Sequence, residues 1–176
     1  NEAGMKLQFP GVLALAALLL APWPAQAQQA SASSVIEAFH ETLISVMKEA
    51  KSLGIKGRYK RLVEPVTEAF HFPLMIKVAT GRFWKRANLE QRDRLLAAFT
   101  AMSVGNYADN FDGYSGQRFV TLGERPGPRK TLLVETQIIS PGDDPIAITY
   151  VMKNIEKRWR IGDVLFENTI SELAVR

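Results

Sequence analysis

The apolar residues of this chain change period once, and that change limits the folds open to it. Up to Phe111 they recur at steps of three and four, the spacing that places them on one face of an α-helix. From about Gln117 onward they alternate, in Thr131-Leu-Leu-Val-Glu-Thr-Gln-Ile-Ile139 and again from Ile146 to Met152, as in a strand with one buried face. Helices first and strands afterwards, joined by short turns, is the pattern of an α+β fold. The helices pack on one face of a curved antiparallel sheet of about four strands.

The first helix opens at the capping box Ser34-x-x-Glu37 and carries Val35/Ile36, Phe39, Leu43, Val46/Met47, Ala50 and Leu53 on one stripe, with Gly54 and Gly57 ending it. A second helical piece presents Tyr59, Leu62, Val63, Val66 and Phe70, with Pro65 as a break or kink. After the aromatic corner Phe70-His71-Phe72-Pro73, a short helix runs from Leu74 to about Ala79 and Gly81 stops it. The third long helix starts at Asn88, with Gln91 three residues on. It aligns Leu96, Phe99, Ser103, Tyr107 and Phe111, flanked by Leu95 and Met102. Strands are expected over Gln117 to Gly123, Thr131 to Ile139, Ile146 to Met152 and Arg158 to Phe166, with turns at Pro141 to Pro145 and Asn154 to Lys157.

The N-terminus reads as a targeting segment. Met5-Lys6 gives a positive start, Val12 to Ala21 is an apolar run too short for the ~20 residues that span a bilayer, and Ala25-Gln26-Ala27 fits a signal-peptidase site. Residues 1–27 are therefore expected to be a signal peptide, with Asn1 to Gly4 as extra residues before the start. Residues 28–33 form a mobile lead and residues 34–176 a single domain.

The composition excludes much chemistry. The chain has no cysteine, so disulfides, thiolate metal sites and thiol nucleophiles are ruled out, and its two histidines, His40 and His71, cannot form a histidine-rich metal site. Gly123-Glu-Arg-Pro-Gly-Pro-Arg-Lys-Thr131 lacks the spacing of a phosphate loop and reads as a hairpin loop; Asp143-Asp144 reads as a turn. No cofactor or metal is expected. The formal charge of +4 is mildly basic, but an exported chain has no regular nucleic-acid target. Between Lys48 and Arg94 twelve basic residues face five acidic ones, which suits either solvated helix faces or an electropositive rim meeting anionic headgroups or an acidic partner.

Large apolar residues are in surplus on the helical and strand faces. They suit an ordinary core, or the walls of a cavity left where a curved sheet arches over helices. In an exported chain without polar catalytic groups, such a cavity points to an apolar cargo.

The run Phe72-Pro73-Leu74-Met75…Gly81-Arg82-Phe83-Trp84…Leu89-Glu90-Gln91-Arg92…Phe99…Tyr107, with Val134-x-Thr136, Trp159-x-Ile161-x-Asp163-Val164 and Ile170-Ser171, resembles the toluene-tolerance, MlaC-like family of periplasmic phospholipid shuttles. The ending Asn168 to Arg176 is most similar to the family's hopanoid-associated HpnM branch. The resemblance implies a periplasmic carrier that moves a hopanoid or phospholipid between inner and outer membranes. It would work beside an inner-membrane ABC transporter and an outer-membrane transfer partner, and would perform no bond chemistry. The family continues into a C-terminal helix that this domain is expected to lack. The cavity is expected to be lined by Phe72, Leu74, Val78, Phe83, Phe99, Met102, Tyr107, Val134, Ile138, Ile148, Tyr150, Met152 and Val164, with Met102 facing the sheet beside Phe99. Lys77, Arg82, Lys85 and Arg86 would meet a headgroup or partner.

Two other classes remain open. One is a small α+β cone enzyme of isomerase type, with Tyr107, Asp109, Tyr150 and Asp163 as candidate acids and bases; Asp163 would have to point between the layers with a raised pKa. The other is a non-catalytic envelope adaptor. Export has a direct test: expressed in a bacterium, the protein should appear in the periplasmic fraction with Gln28 as its first residue by N-terminal sequencing, and an uncleaved cytoplasmic product would refute it.

Overall fold

The computed structural model describes residues 30–167 and the backbone of residues 170–171; the expected signal peptide and the end of the chain lie outside the described residues. Five helices precede the sheet: α1 (Ala32–Lys48), α2 (Ala50–Ala69), α3 (Phe72–Thr80), α4 (Arg82–Arg86) and α5 (Leu89–Asn110). The strands are β1 (Arg118–Gly127), β2 (Thr131–Ile139), β3 (Ile146–Ile155), β4 (Arg158–Phe166) and the two-residue β5 (Ile170–Ser171). They pair antiparallel in chain order, the α+β meander expected from the change of period.

Local chemistry sets the helix ends. α1 begins earlier than its Ser34-x-x-Glu37 spacing predicts, because the Ser31 side chain accepts the Ser34 N–H at 3.0 Å and caps the helix. Residues 32 and 33 are thus helical and not part of a lead. The helical path is disturbed at Glu49 and turns at Gly54, whose φ of 60° and ψ of 176° are open only to glycine. At α5 the expected box is complete: Asn88 accepts from the Gln91 N–H at 2.9 Å, and the Gln91 side chain accepts from the Asn88 N–H at 3.0 Å.

Register fixes the inner face of the sheet. Val134 pairs with Tyr150, Thr136 with Ile148, Ile138 with Ile146 and Leu132 with Met152, so these residues share one side. Val164 joins them opposite Tyr150. The helices cover this side, and the core joins Ile36, Phe39 and Leu43 of α1, Leu62 and Val66 of α2, Phe99 and Val104 of α5 and the sheet residues. β1 is longer than expected and carries Glu124 to Gly127 as strand, and the chain turns into β2 over Pro128–Lys130, with Arg129 and Lys130 at positive φ. Pro126 is tolerated there because β1 is an edge strand.

One buried guanidinium ties the helices together. Arg58, 8% exposed, donates to the Ala108 carbonyl near the end of α5 at 2.7 Å and to the Ala50 carbonyl at 3.1 Å. It satisfies carbonyls that helix ends and kinks leave without an intrahelical donor.

Two glycines separate backbone effects from packing, since a Cβ at Gly54 or at Gly105 would meet nothing within 4 Å. Gly54→Ala should cost about 1–3 kcal/mol from strain alone. Gly105→Ala, inside α5, should gain about 0.5–1 kcal/mol. Urea unfolding of both variants checks the signs.

Candidate functional site

Among the described residues, an apolar groove of about 620 Å³ opens at one edge of the helix–sheet sandwich. Val35, Ala38, Phe39 and Thr42 of α1 line one wall, at steps of three and four along one flank of the helix. Pro65 and Ala69 on the last turns of α2 form the second wall, and Trp159 of β4 the third. Phe39 and Trp159 also pack in or against the core, so the groove shares a wall with the packed interlayer. Its rim is charged and split: Glu64 and Glu68 stand on the α2 side, and Lys157, Arg158 and Arg160 on the β4 side. Arg160 is held in place by donating to the Thr67 carbonyl at 3.1 Å and the Phe70 carbonyl at 3.4 Å. The tight turn Glu156–Lys157, both residues at positive φ (51° and 64°), brings Lys157 and Arg158 to the rim.

The residues expected to line a cavity fall into three groups. Phe72, Phe99, Val134, Ile148, Tyr150, Met152 and Val164 are buried, and Tyr107 and Ile138 are half-buried and packed against them. These do meet between the layers, but they fill the space with one another. Leu74 is half-buried, with its Cδ2 3.7 Å from where a Cβ on Gly162 would sit. Val78, Phe83 and Met102 are exposed, at 57%, 59% and 44%, and do not face the interlayer space. The reason for Met102 is angular. At about 100° per residue, Ser103, Val104, Tyr107 and Ala108 extend the buried arc to one side of Phe99, and Met102 falls on the other. Phe83 instead lies under the Arg82 guanidinium, 5.2 Å from its ring centre, and lines a separate shallow cleft with Arg86. Lys77, Arg82, Lys85 and Arg86 are exposed and none borders the groove. The basic residues that do, Lys157, Arg158 and Arg160, were missed. The available signal was a strand start with three cations around one tryptophan.

The candidate acid–base residues are scattered. Asp109 is exposed. Tyr107 sits in an aromatic stack with Phe111, ring centres 5.7 Å apart. Asp163 pairs with Val151 on the outer face of the sheet, and its carboxylate accepts the Val164 N–H at 2.9 Å; it does not point between the layers. Tyr150 does, and its hydroxyl lies 2.8 Å from His40 Nε2.

The chain matches the MlaC protein family over residues 37–176. The chain belongs to the MlaC family. Its fold is similar to that of the phospholipid-binding protein from Ralstonia solanacearum, solved in complex with a phospholipid, at 17% identity and a TM-score of 0.73 over 83% of each chain. No curated protein matches. Among the described residues of this MlaC-family chain, no helix is long and apolar enough to cross a membrane.

Both histidines are disfavoured as cations in this MlaC fold. Burial holds the His40 imidazole down to about 3, and burial also lowers His71. His71 Nδ1 accepts the Leu74 N–H at 3.0 Å and caps α3, a role that needs that nitrogen unprotonated. The unfolded chain takes up these protons first, near the usual 6.5, so the stability they confer is complete above that value. It is lost as pH falls toward about 3, where folded His40 protonates in turn. Between pH 7 and 4.5 the wild type should lose more stability than His40→Gln, by up to about 2–3 kcal/mol. Denaturant titrations of both proteins at the two pH values decide it; an equal or larger loss in the variant would show His40 is not the source.

Proposed function

We propose that this protein is a periplasmic lipid carrier that binds the acyl or polycyclic part of a phospholipid or hopanoid through the groove between α1, α2 and β4. It delivers that lipid between the inner and outer membranes as the soluble member of an ABC-type transport system. The observation that carries the reading is an apolar groove, walled in part by core residues, in an MlaC-family chain. The similarity of the fold to a protein solved with a phospholipid supports it.

The physical need for a carrier is large. Each methylene withdrawn from apolar surroundings into water costs ~0.8 kcal/mol, so a sixteen-carbon chain resists leaving a bilayer by roughly 12 kcal/mol. A protein that offers an apolar surface lowers that barrier without making or breaking a bond. In this reading Val35, Phe39 and Trp159 receive the first part of a chain. Lys157 and Arg158 on the rim meet an anionic headgroup. Lys77, Arg82, Lys85 and Arg86, exposed on α3 and α4 with Phe83, are our candidates for contact with a transporter or outer-membrane partner.

Solvent extraction and mass spectrometry of the purified protein should recover lipid. Ala38→Trp, at an exposed position on the groove wall, should lower the lipid recovered per mole with little change in melting temperature. Ile148→Trp should behave differently: Ile148 is 6% exposed in a filled layer, so overpacking there should destabilise by ~1–3 kcal/mol. A wild-type protein that carries no extractable lipid would sink the carrier reading.

A further inference from the structure

The inner layer holds one polar pair. His40 of α1, 4% exposed, and Tyr150 of β3, 2% exposed, are joined by the 2.8 Å contact between Nε2 and the hydroxyl. The Phe119 ring stacks on the imidazole at 3.9 Å and 12°. The neutral pair carries two polar hydrogens, one on the imidazole and one on the phenol. The single bond between them uses one. Among the described residues neither ring makes another hydrogen bond. Whichever tautomer is present, a donor is left over, on Tyr150 or on His40.

His40, whose Nε2 is 2.8 Å from the Tyr150 hydroxyl, stands at the floor of an opening. A cleft of about 390 Å³ separates α1 from β1, and His40 and Phe119 line it below Glu37, Glu41, Gln117 and Arg118. It lies across α1 from the groove: residues 35, 38, 39 and 42 face the groove, while residues 37, 40 and 41 face this cleft. A half-satisfied polar pair is worse for an apolar layer than two apolar side chains would be, so its presence calls for a partner.

We propose that His40 and Tyr150 form a polar seat, entered between α1 and β1, that accepts a neutral oxygen of an otherwise apolar ligand, a hydroxyl or a carbonyl, through the pair's remaining donor. The choice of a lipid as that ligand rests on the carrier reading; the seat itself does not. Burial keeps His40 uncharged at ordinary pH and pushes the Tyr150 phenol up, so the seat offers a neutral donor. At the mouth Glu37 and Glu41 outnumber Arg118, which works against phosphate or carboxylate.

The test compares three C14 probes on delipidated protein, tetradecane, tetradecan-1-ol and tetradecyl phosphate, by displacement of a fluorescent naphthylamine dye. The double variant His40→Phe/Tyr150→Phe keeps two aromatic rings and removes both polar groups, whereas either single substitution would leave one donor in place. The alcohol-to-hydrocarbon affinity ratio should fall about two- to tenfold in the variant, the worth of one neutral hydrogen bond, while the phosphate-to-hydrocarbon ratio stays put. An unchanged alcohol ratio, or a phosphate ratio that falls as far, overturns the proposal. A second measurement needs no substitution. The imidazole ¹⁵N shifts of His40 in the wild type should move saturably with butan-1-ol, and shifts that do not move refute the seat. If none of the C14 probes binds, the carrier reading fails, and the butanol titration still decides the seat by itself.

Discussion

The helical layer is fastened to the sheet at one corner. The His71 N–H donates to the Ile161 carbonyl at 2.9 Å, beside the parallel bridge between Phe70 and Ile161. Arg160, next in the strand, sends its guanidinium to the Thr67 and Phe70 carbonyls. These bonds satisfy backbone groups that the end of α2 leaves open. Phe70 then serves as a hub. It stacks on Phe72 at 5.6 Å and meets Phe39 and Tyr107 edge-on at 5.6 Å each, which links α1, α3 and α5. Aromatic contacts of this kind add roughly 0.5–1.5 kcal/mol each beyond burial. If the corner were loosened, α2 and α3 would lose their place over β4.

The groove is a consequence of that fastening. α2 is pinned to β4 at its last turn, while α1 crosses the sheet nearer β1 and contacts Glu124 through Ser33. The two helices part toward the N-terminus of α1, and the space between them opens onto Phe39 and Trp159. Pro65 suits this wall, since it supplies apolar surface to the groove and its missing N–H removes one intrahelical bond. The same arginine that fastens the corner also stands on the rim, so a headgroup that drew Arg160 away would weaken the attachment of α2.

Much of the fold was legible because it rests on local signals. The Asn88/Gln91 box, the Gly81 stop and the alternation in β2 and β3 each announce an element within a few residues, and the shared face of Val134, Ile138, Ile148, Tyr150 and Met152 follows from period two once the strands pair in order. The start of α1 was misread because Ser31 and Ser34 both satisfy the cap rule, and only the described contact chooses Ser31. α4 is five residues long, too short to show a period. The lining expected for a cavity was harder to read. Val78, Phe83 and Met102 are apolar residues on helices whose rotation against the sheet no single helix dictates. The groove joins α1, α2 and β4 across more than a hundred residues of sequence, a tertiary fact with no local mark.

Rotation of α1 is where the polar pair matters most. Apolar contact is not directional, and a stripe containing Ile36, Phe39, Leu43, Val46 and Met47 would pack nearly as well after a modest turn about the helix axis. A hydrogen bond of 2.8 Å from His40 to Tyr150 would not survive that turn. It fixes which flank of α1 faces the groove and which faces the cleft beside β1. The pair therefore holds the two openings in register on either side of one helix, and its leftover donor sits in the layer where the apolar walls alone could not tell one hydrocarbon from another. In the carrier proposed above, shape and apolar area would set how much cargo is bound, and a single neutral donor at that depth would set which end of it is recognised.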